Sequence, residues 1–267
     1  MSQIKLGINT VLFKKYTLRE AMAAAKRSGY DGVELSAIQG MCEHLVLDTW
    51  QEQAEDIRSM AKEYGLALLS MEVASLDEAR LLKAFAAAQA IGVPVVNVGP
   101  GGKSDVEDDL KLTIETLRAR AQCAATYGVT LCVKAHVGAA IYNTPTTQRA
   151  MREIPDASFG IDMDPSHIYR AGEAPEQALP AVISRVKHIH VRDCKGPGPS
   201  PGDPELQACG RGDIDLFGYF EALVAADYRG PVCLEVIGPD QDMPDAMAIA
   251  SESYGYMNAC LKRLGAR

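Results

Sequence analysis

YGVTLCVKAHV, Tyr127 to Val137, carries the pattern on which the fold turns: a glycine closing a helical run, then a short strand of β-branched and aliphatic residues. The same punctuation recurs on both sides of it. SGYDGVEL (28–35), YGLALLSMEV (64–73) and IGVPVVNVG (91–99) precede it, and FGIDMD (159–164), VKHIHVRD (186–193) and YRGPVCLEV (228–236) follow. With IKLGIN at residues 4–9, this makes eight strands. The segments between them predict helices over about 17–28, 48–64, 76–91, 105–127, 145–154, 175–185, 216–227 and 243–264. Several open on capping residues, as in LDTWQEQ and KSDVEDD. Eight strand–helix units in 267 residues fit one α/β domain over 1–267, a (β/α)8 TIM barrel, a fold that takes roughly 250 residues. A doubly wound open sheet is the competing architecture, but GINTVLF stands after the first strand where a GxGxxG turn would be expected. No Ser/Pro/Gly tract is long enough to divide the chain. GPGPSPGDP, 196–204, reads as a loop over the active face.

The composition is globular, and a formal charge of -8 disfavours duplex nucleic acid or an anionic membrane as partner, since both are bound through Lys and Arg. Small molecules are the expected partners. Seven scattered cysteines with no CxxC pair suggest neither a disulfide framework nor a thiolate zinc site, and reduced cytoplasmic thiols are the simplest reading. The start, MSQIKLGINTVLFKKYT, does not read as a leader, and no apolar run approaches about 18 residues, so a soluble, unexported protein is expected.

Alternation within the strands carries the functional reading, because side chains two apart share a face. In LCVKAHV, Leu131, Val133 and Val137 oppose Cys132, Lys134 and His136. Ile161 and Met163 oppose Asp162 and Asp164, Ile189 and Val191 oppose His188 and His190, and Leu234 and Val236 oppose Cys233 and Glu235. Glu34 and Glu72 obey the same rule. If the aliphatic set packs on the helices, an ionisable ring of Glu34, Glu72, Lys134, His136, Asp164, His190 and Glu235 points into the barrel near its catalytic end. Burying such a ring is costly unless it is hydrated, paired or bound to metal. The plain alternative is a salt-bridge network without chemistry. One imidazole with hard carboxylates on separate strands suits a divalent ion of the Mn, Mg, Co or Zn kind.

On these residues the chain resembles the xylose-isomerase-like TIM-barrel superfamily of sugar isomerases and epimerases, which also contains tagatose epimerases, inosose dehydratases and zinc-type apurinic-site endonucleases. The resemblance runs from GYDGVEL to GPVCLEV and rests most specifically on DPSH, HIHVRD followed by GRGDID, and LEV. It implies a metal held at the ends of the last three strands by Asp164, His190 and Glu235, and a second glutamate at the end of the fifth. That fifth position is Lys134, in KAH where the family pattern is ExH. The family mechanism moves a proton between two glutamates across a metal-bound enediolate. Glu235 retains one half of it. Lys134 admits three roles: neutral base or ligand, charged partner of an enolate or anionic substrate, or local cation in place of the metal.

The implied activity is that of a divalent-metal-dependent isomerase or epimerase acting on a sugar or keto-sugar by proton transfer beside a carbonyl. The alternative is a lyase or dehydratase that removes water from a keto-sugar or cyclitol, with Lys134 and Glu235 as the catalytic pair. A zinc-type repair endonuclease is disfavoured by five histidines and the acidic balance, and a non-catalytic barrel has Lys134 as its support. Substrate contacts are expected from His136, His167, Arg211, Glu72 and Glu34. His188 and Asp162 read as deep and structural. Arg192, Asp193 and Lys195 read as solvated loop charges. Barrels of this family often form homo-oligomers.

Overall fold

Helix α1 (Leu18–Ser28) shows why the helix–glycine–strand units fold as they do. The Thr17 hydroxyl accepts the Glu20 N–H while the Glu20 carboxylate takes the Thr17 N–H, so two unpaired donors of the first turn are satisfied. The helix stops at Gly29, whose φ of 103° is closed to residues with a Cβ, and β2 (Gly32–Ile38) follows. The computed structural model describes residues 4–267. Met1–Gln3, part of the start read for a leader, lie outside the described residues.

The other strands are β1 (Lys5–Asn9), β3 (Ala67–Glu72), β4 (Val95–Val98), β5 (Thr130–Lys134), β6 (Phe159–Met163), β7 (Val186–Val191) and β8 (Pro231–Leu234). All pair in parallel with their neighbours, and β1 pairs with both β2 and β8, so the sheet closes into a barrel. Helices α2 (Trp50–Tyr64), α3 (Glu78–Ile91), α4 (Glu107–Thr126), α5 (Thr144–Glu153), α6 (Pro165–Arg170), α7 (Pro175–Ala178), α8 (Leu216–Ala225) and α9 (Met243–Arg263) complete the chain. Outward strand residues such as Leu131, Val133, Ile161 and Ile189 are fully buried among apolar residues of the helices, as the alternation requires. All seven cysteines are free thiols. No helix among the described residues is long and apolar enough to cross a membrane.

Two helices depart from the expected pattern. The segment expected as a helix over 175–185 breaks after Ala178 into two short 3-10 turns, because Pro180 has no N–H to give a continuing α-helix. DPSHIYR folds into α6, whose N-terminus is capped by the Asp164 carboxylate on Ser166 N at 2.8 Å. In addition, Cys42–Glu43 folds back antiparallel on the end of β2.

The inside of the barrel is layered. At the end where the strands begin, Gly7 and Gly32 leave room for Leu69, which stands at a register shift between β2 and β3. A methyl at Gly32 would lie 2.4 Å from the Ala67 carbonyl oxygen, which cannot move without moving the strand. Above this small-residue layer the filling is polar. Asp162 Oδ1 stands 3.0 Å from His188 Nδ1 and accepts the His190 N–H, while Ser70 Oγ meets His188 Nε2 at 2.8 Å. His188 and Asp162 are therefore the structural pair expected of them.

Replacing Gly32 by Ala is expected to cost about 1–3 kcal/mol of stability through overpacking, read from urea unfolding. Asp162→Asn removes the anion shared by two buried imidazoles and is expected to cost roughly 3–5 kcal/mol, with near-wild-type unfolding midpoints contradicting both assignments.

Candidate active site

Lys134 ends β5, and its side chain rises along the barrel axis into a ring of acids. Its ammonium donates to both carboxylate oxygens of Glu235 at 2.9 Å and to Glu72 Oε1 at 3.1 Å, and lies 3.3 Å from His190 Nδ1. Lys134 is 5% exposed, Glu72 4% and Glu235 3%. Burial pulls the lysine pKa down, but Glu235 and Glu72, aided by Asp162 and Asp164, more than reverse this and keep it charged. The two carboxyls it joins are pushed apart. Burial raises Glu72 to about 8, with the Glu235 charge acting in the same direction. Burial opposes ionisation of Glu235 too, yet Lys134, His190 and Arg192 hold it well below the usual carboxylate range. Near neutrality, one acid of the pair keeps its proton and the other has lost it.

His190 stands deeper. Its Nε2 is hydrogen-bonded to Glu34 and its Nδ1 lies 2.6 Å from Asp162 Oδ2. Desolvation pulls the ring toward neutrality, but these two carboxylates outweigh it and raise its pKa well above the ordinary value. Asn9 ties Glu34 to the rim by donating to Glu34 Oε2 at 2.8 Å and Glu72 Oε2 at 2.7 Å, and the Asn97 amide covers Glu34 Oε1 at 2.6 Å.

Arg192 supplies the second rim cation. Its guanidinium donates to Ser166 Oγ at 2.8 Å and Asp164 Oδ2 at 3.2 Å, and meets His167 Nε2 at 2.8 Å. Its Nη1 lies 3.2 Å from Glu235 Oε2 but off the axis of a hydrogen bond, which leaves a buried N–H without an acceptor among the described residues, beside the Glu235 carboxylate. His167 is pushed well below its ordinary pKa by burial and then by Arg192, so it is a neutral imidazole.

The expected site residues thus fall into groups. Glu34, Glu72, Lys134, His190 and Glu235 are brought together, and Asp164 and His167 join them through Arg192. β5 ends at Lys134, so His136 leaves the inward row; it stands exposed with its ring tilted 39° against that of His167, centroids 4.1 Å apart. Arg211, expected at the substrate, instead forms an exposed ion pair with Glu252 on α9. Arg192 corrects the solvated-charge reading in the other direction, being 1% exposed. The signal was present: it is the next inward position after His188 and His190. Asn9 was available by the same rule, two residues after the inward Gly7.

A cavity of about 650 Å³ opens at the opposite end, among Ile4, Leu69, Val95 and Pro231 where the strands begin. Barrel chemistry sits where strands end, so this cavity is not the site. The rim is closed by the segment from Cys194 to Asp213. It is tied down by Arg170 to the Pro199 carbonyl at 2.8 Å and by the Gln207 amide to the Ile237 carbonyl at 2.6 Å.

Two buried carboxylate–imidazole groups have their donor atoms close enough to hold a metal ion, Glu34–His188–His190 and Glu72–His190–Glu235. As they stand, their protons do not fit one. All three members of the second group contact the Lys134 ammonium. In the first group, Glu34 is hydrogen-bonded to His190 and His188 is engaged by Asp162 and Ser70. Asp164, expected as a ligand, belongs to neither group; its Oδ1 takes the Ser166 N–H and hydroxyl at 2.8 Å each, and its Oδ2 takes Arg192.

Comparison with known proteins places this geometry. An inosose dehydratase of Geobacillus thermodenitrificans is 29% identical over 136 residues, 46% of each protein, so the match spans under half of that relative. An L-ribulose 3-epimerase of a Methylomonas species is 24% identical over 242 residues, 81% of this chain and 77% of the relative. The crystal structure of a D-allulose 3-epimerase from Methylomonas shares the fold with a TM-score of 0.77 at 17% identity, over 98% of this chain and 99% of the other. Residues 22–260 match the model of the xylose isomerase-like TIM barrels, and the chain belongs to that family.

Proposed function

We propose that this protein is an isomerase or epimerase that transfers a proton beside the carbonyl of a sugar or keto-sugar, with Glu235 and Glu72 as its acid–base pair. The observation that carries this reading is the placement of two buried carboxyls, Glu235 and Glu72, on the same ammonium at the catalytic end of the barrel, in surroundings that raise the pKa of Glu72 and lower that of Glu235. Glu235 takes the proton from the carbon next to the carbonyl, and the C–H electrons pass to the carbonyl oxygen. Lys134 and the free Nη1–H of Arg192 face the developing oxyanion. Glu72 returns a proton to carbon, which inverts or relocates the centre. His167, held neutral, serves a substrate hydroxyl; Glu34 acts through Asn9, holding Glu72 in place.

The lyase reading has one observation in its favour. Because Glu72 keeps its proton, it can protonate a departing hydroxyl after Glu235 has removed the neighbouring hydrogen, and the same site then dehydrates a keto-sugar or cyclitol. The relatives named as inosose dehydratases and as an L-ribulose 3-epimerase bracket these two outcomes. For a divalent ion of the Mn, Mg, Co or Zn kind, the Glu72–His190–Glu235 grouping supports His190 and Glu235 as ligands but not Asp164, and such an ion requires Lys134 and Arg192 to leave these carboxylates. The expected partner is a small sugar or polyol, in keeping with the charge of -8, and the expected setting is the cytoplasm, possible homo-oligomers of the barrel included.

The test is a screen of keto-sugars and keto-polyols in deuterated water, with solvent exchange and product formation followed by NMR. Wild-type protein should exchange the hydrogen beside the carbonyl of at least one substrate, and Glu235→Gln should lower that rate at least 1,000-fold with folding intact. Absence of exchange and elimination with every candidate would leave a non-catalytic barrel. Since the Glu72 proton is present below about pH 8 and lost above it, turnover should fall as pH rises through that value, and Glu72→Gln should lose this limb of the profile. A wild-type profile flat across pH 8 would remove Glu72 from the acid role.

A further inference from the structure

We infer that Lys134 is the permanent replacement for a divalent ion: its ammonium occupies the common centre of the Glu72–His190–Glu235 group, so the site excludes such ions and works without one. The inference rests on the proposed function only for what the cation does to substrate. The exclusion itself follows from where the donors point.

A divalent ion in a carboxylate–imidazole site needs oxygen lone pairs and a deprotonated ring nitrogen directed at one point. Here that point belongs to Nζ, within 3.3 Å of a donor atom from each of the three residues. An ion there would meet the ammonium at contact distance. His190 offers no lone pair elsewhere, because its two nitrogens face the carboxylates of Glu34 and Asp162. Asp164 is occupied by Ser166 and Arg192, and Arg192 also leans on Glu235.

Room for the ammonium to withdraw is lacking as well. Lys134 stands at the end of a strand rather than on a loop and is 5% exposed, and its partner Glu235 is also approached by Arg192, itself 1% exposed. The amine is thus held inside the barrel by its three neighbours. It provides one positive charge in a fixed position, with hydrogen-bonding protons that a metal lacks, and so suits an oxyanion formed next to Glu235.

The test uses MnCl2 alone as the probe. Full-length protein, dialysed against chelator and then freed of it, is titrated with Mn²⁺ by calorimetry and by the loss of the free-ion EPR signal. Wild-type protein should bind no stoichiometric ion up to about 1 mM, whereas Lys134→Glu, which supplies a third acid and removes the ammonium, should take up one ion at least 100-fold more tightly. Lys134→Gln, a neutral side chain of similar length, covers the case in which the Glu variant does not fold. With the ammonium gone, it should gain a measurable melting-temperature increase with Mn²⁺ that the wild type lacks. One tightly bound ion per wild-type chain overturns the inference, as does a folded pair of variants that bind Mn²⁺ no better than wild type. These readouts need no substrate, so failure of the isomerase reading leaves them interpretable.

Discussion

Bringing an ammonium into the closed interior of a β-barrel is costly unless a carboxylate meets it, and the neutralisation of Lys134 by Glu235, with Glu72 as a further hydrogen-bond partner, is the constraint around which the rest of this rim is arranged. The two acids cannot both ionise freely so close together. Burial and the Glu235 charge favour the proton on Glu72, while Lys134, His190 and Arg192 favour the charge on Glu235. Asn9 then bonds the oxygen of Glu72 that Lys134 leaves free, and the same amide links it to Glu34 and through it to His190. Deeper still, Asp162 gathers His188 and His190. The result is a column of alternating charge running inward from the catalytic rim, in which each carboxylate is met by a donor.

Function follows from the same column. A site of fixed charges held by neighbouring strands has little reorganising to do when an oxyanion forms, which is how a preorganised environment lowers a barrier. The charged groups of the rim are buried, with Lys134, Glu72, Glu235 and Arg192 each 5% exposed or less. The Cys194–Asp213 segment is anchored by Arg170 on the Pro199 carbonyl, by a reciprocal pair of hydrogen bonds between the Gln207 amide and the Ile237 backbone, by Cys209 N–H on Ser253 Oγ and by the Arg211–Glu252 ion pair.

Much of this was legible in the sequence, for a physical reason. Strand parity is local, so Glu34, Glu72, Lys134, Asp164, His190 and Glu235 could be set inward from LCVKAHV and its counterparts without any knowledge of tertiary contacts. Parity holds for one residue past a strand, as at Asp164, Arg192 and Glu235, and fails at His136, two residues past the end of β5. It was also stopped one step early in β7, where Arg192 continues the row of His188 and His190 although a charged residue before a loop looks solvated. Arg211 was placed by resemblance rather than by periodicity, and long-range pairing with Glu252 decided its position. No local rule could decide among the three roles open to Lys134, because that depends on four strands meeting at one point.

The most direct measurement is a crystal structure of the wild-type protein grown or soaked with excess Mn²⁺, with anomalous diffraction recorded to locate the ion. The account predicts no anomalous peak within the barrel and lysine density bridging Glu72 and Glu235. A peak among His190, Glu235 and Asp164, with the Lys134 side chain turned away from it, would contradict the account.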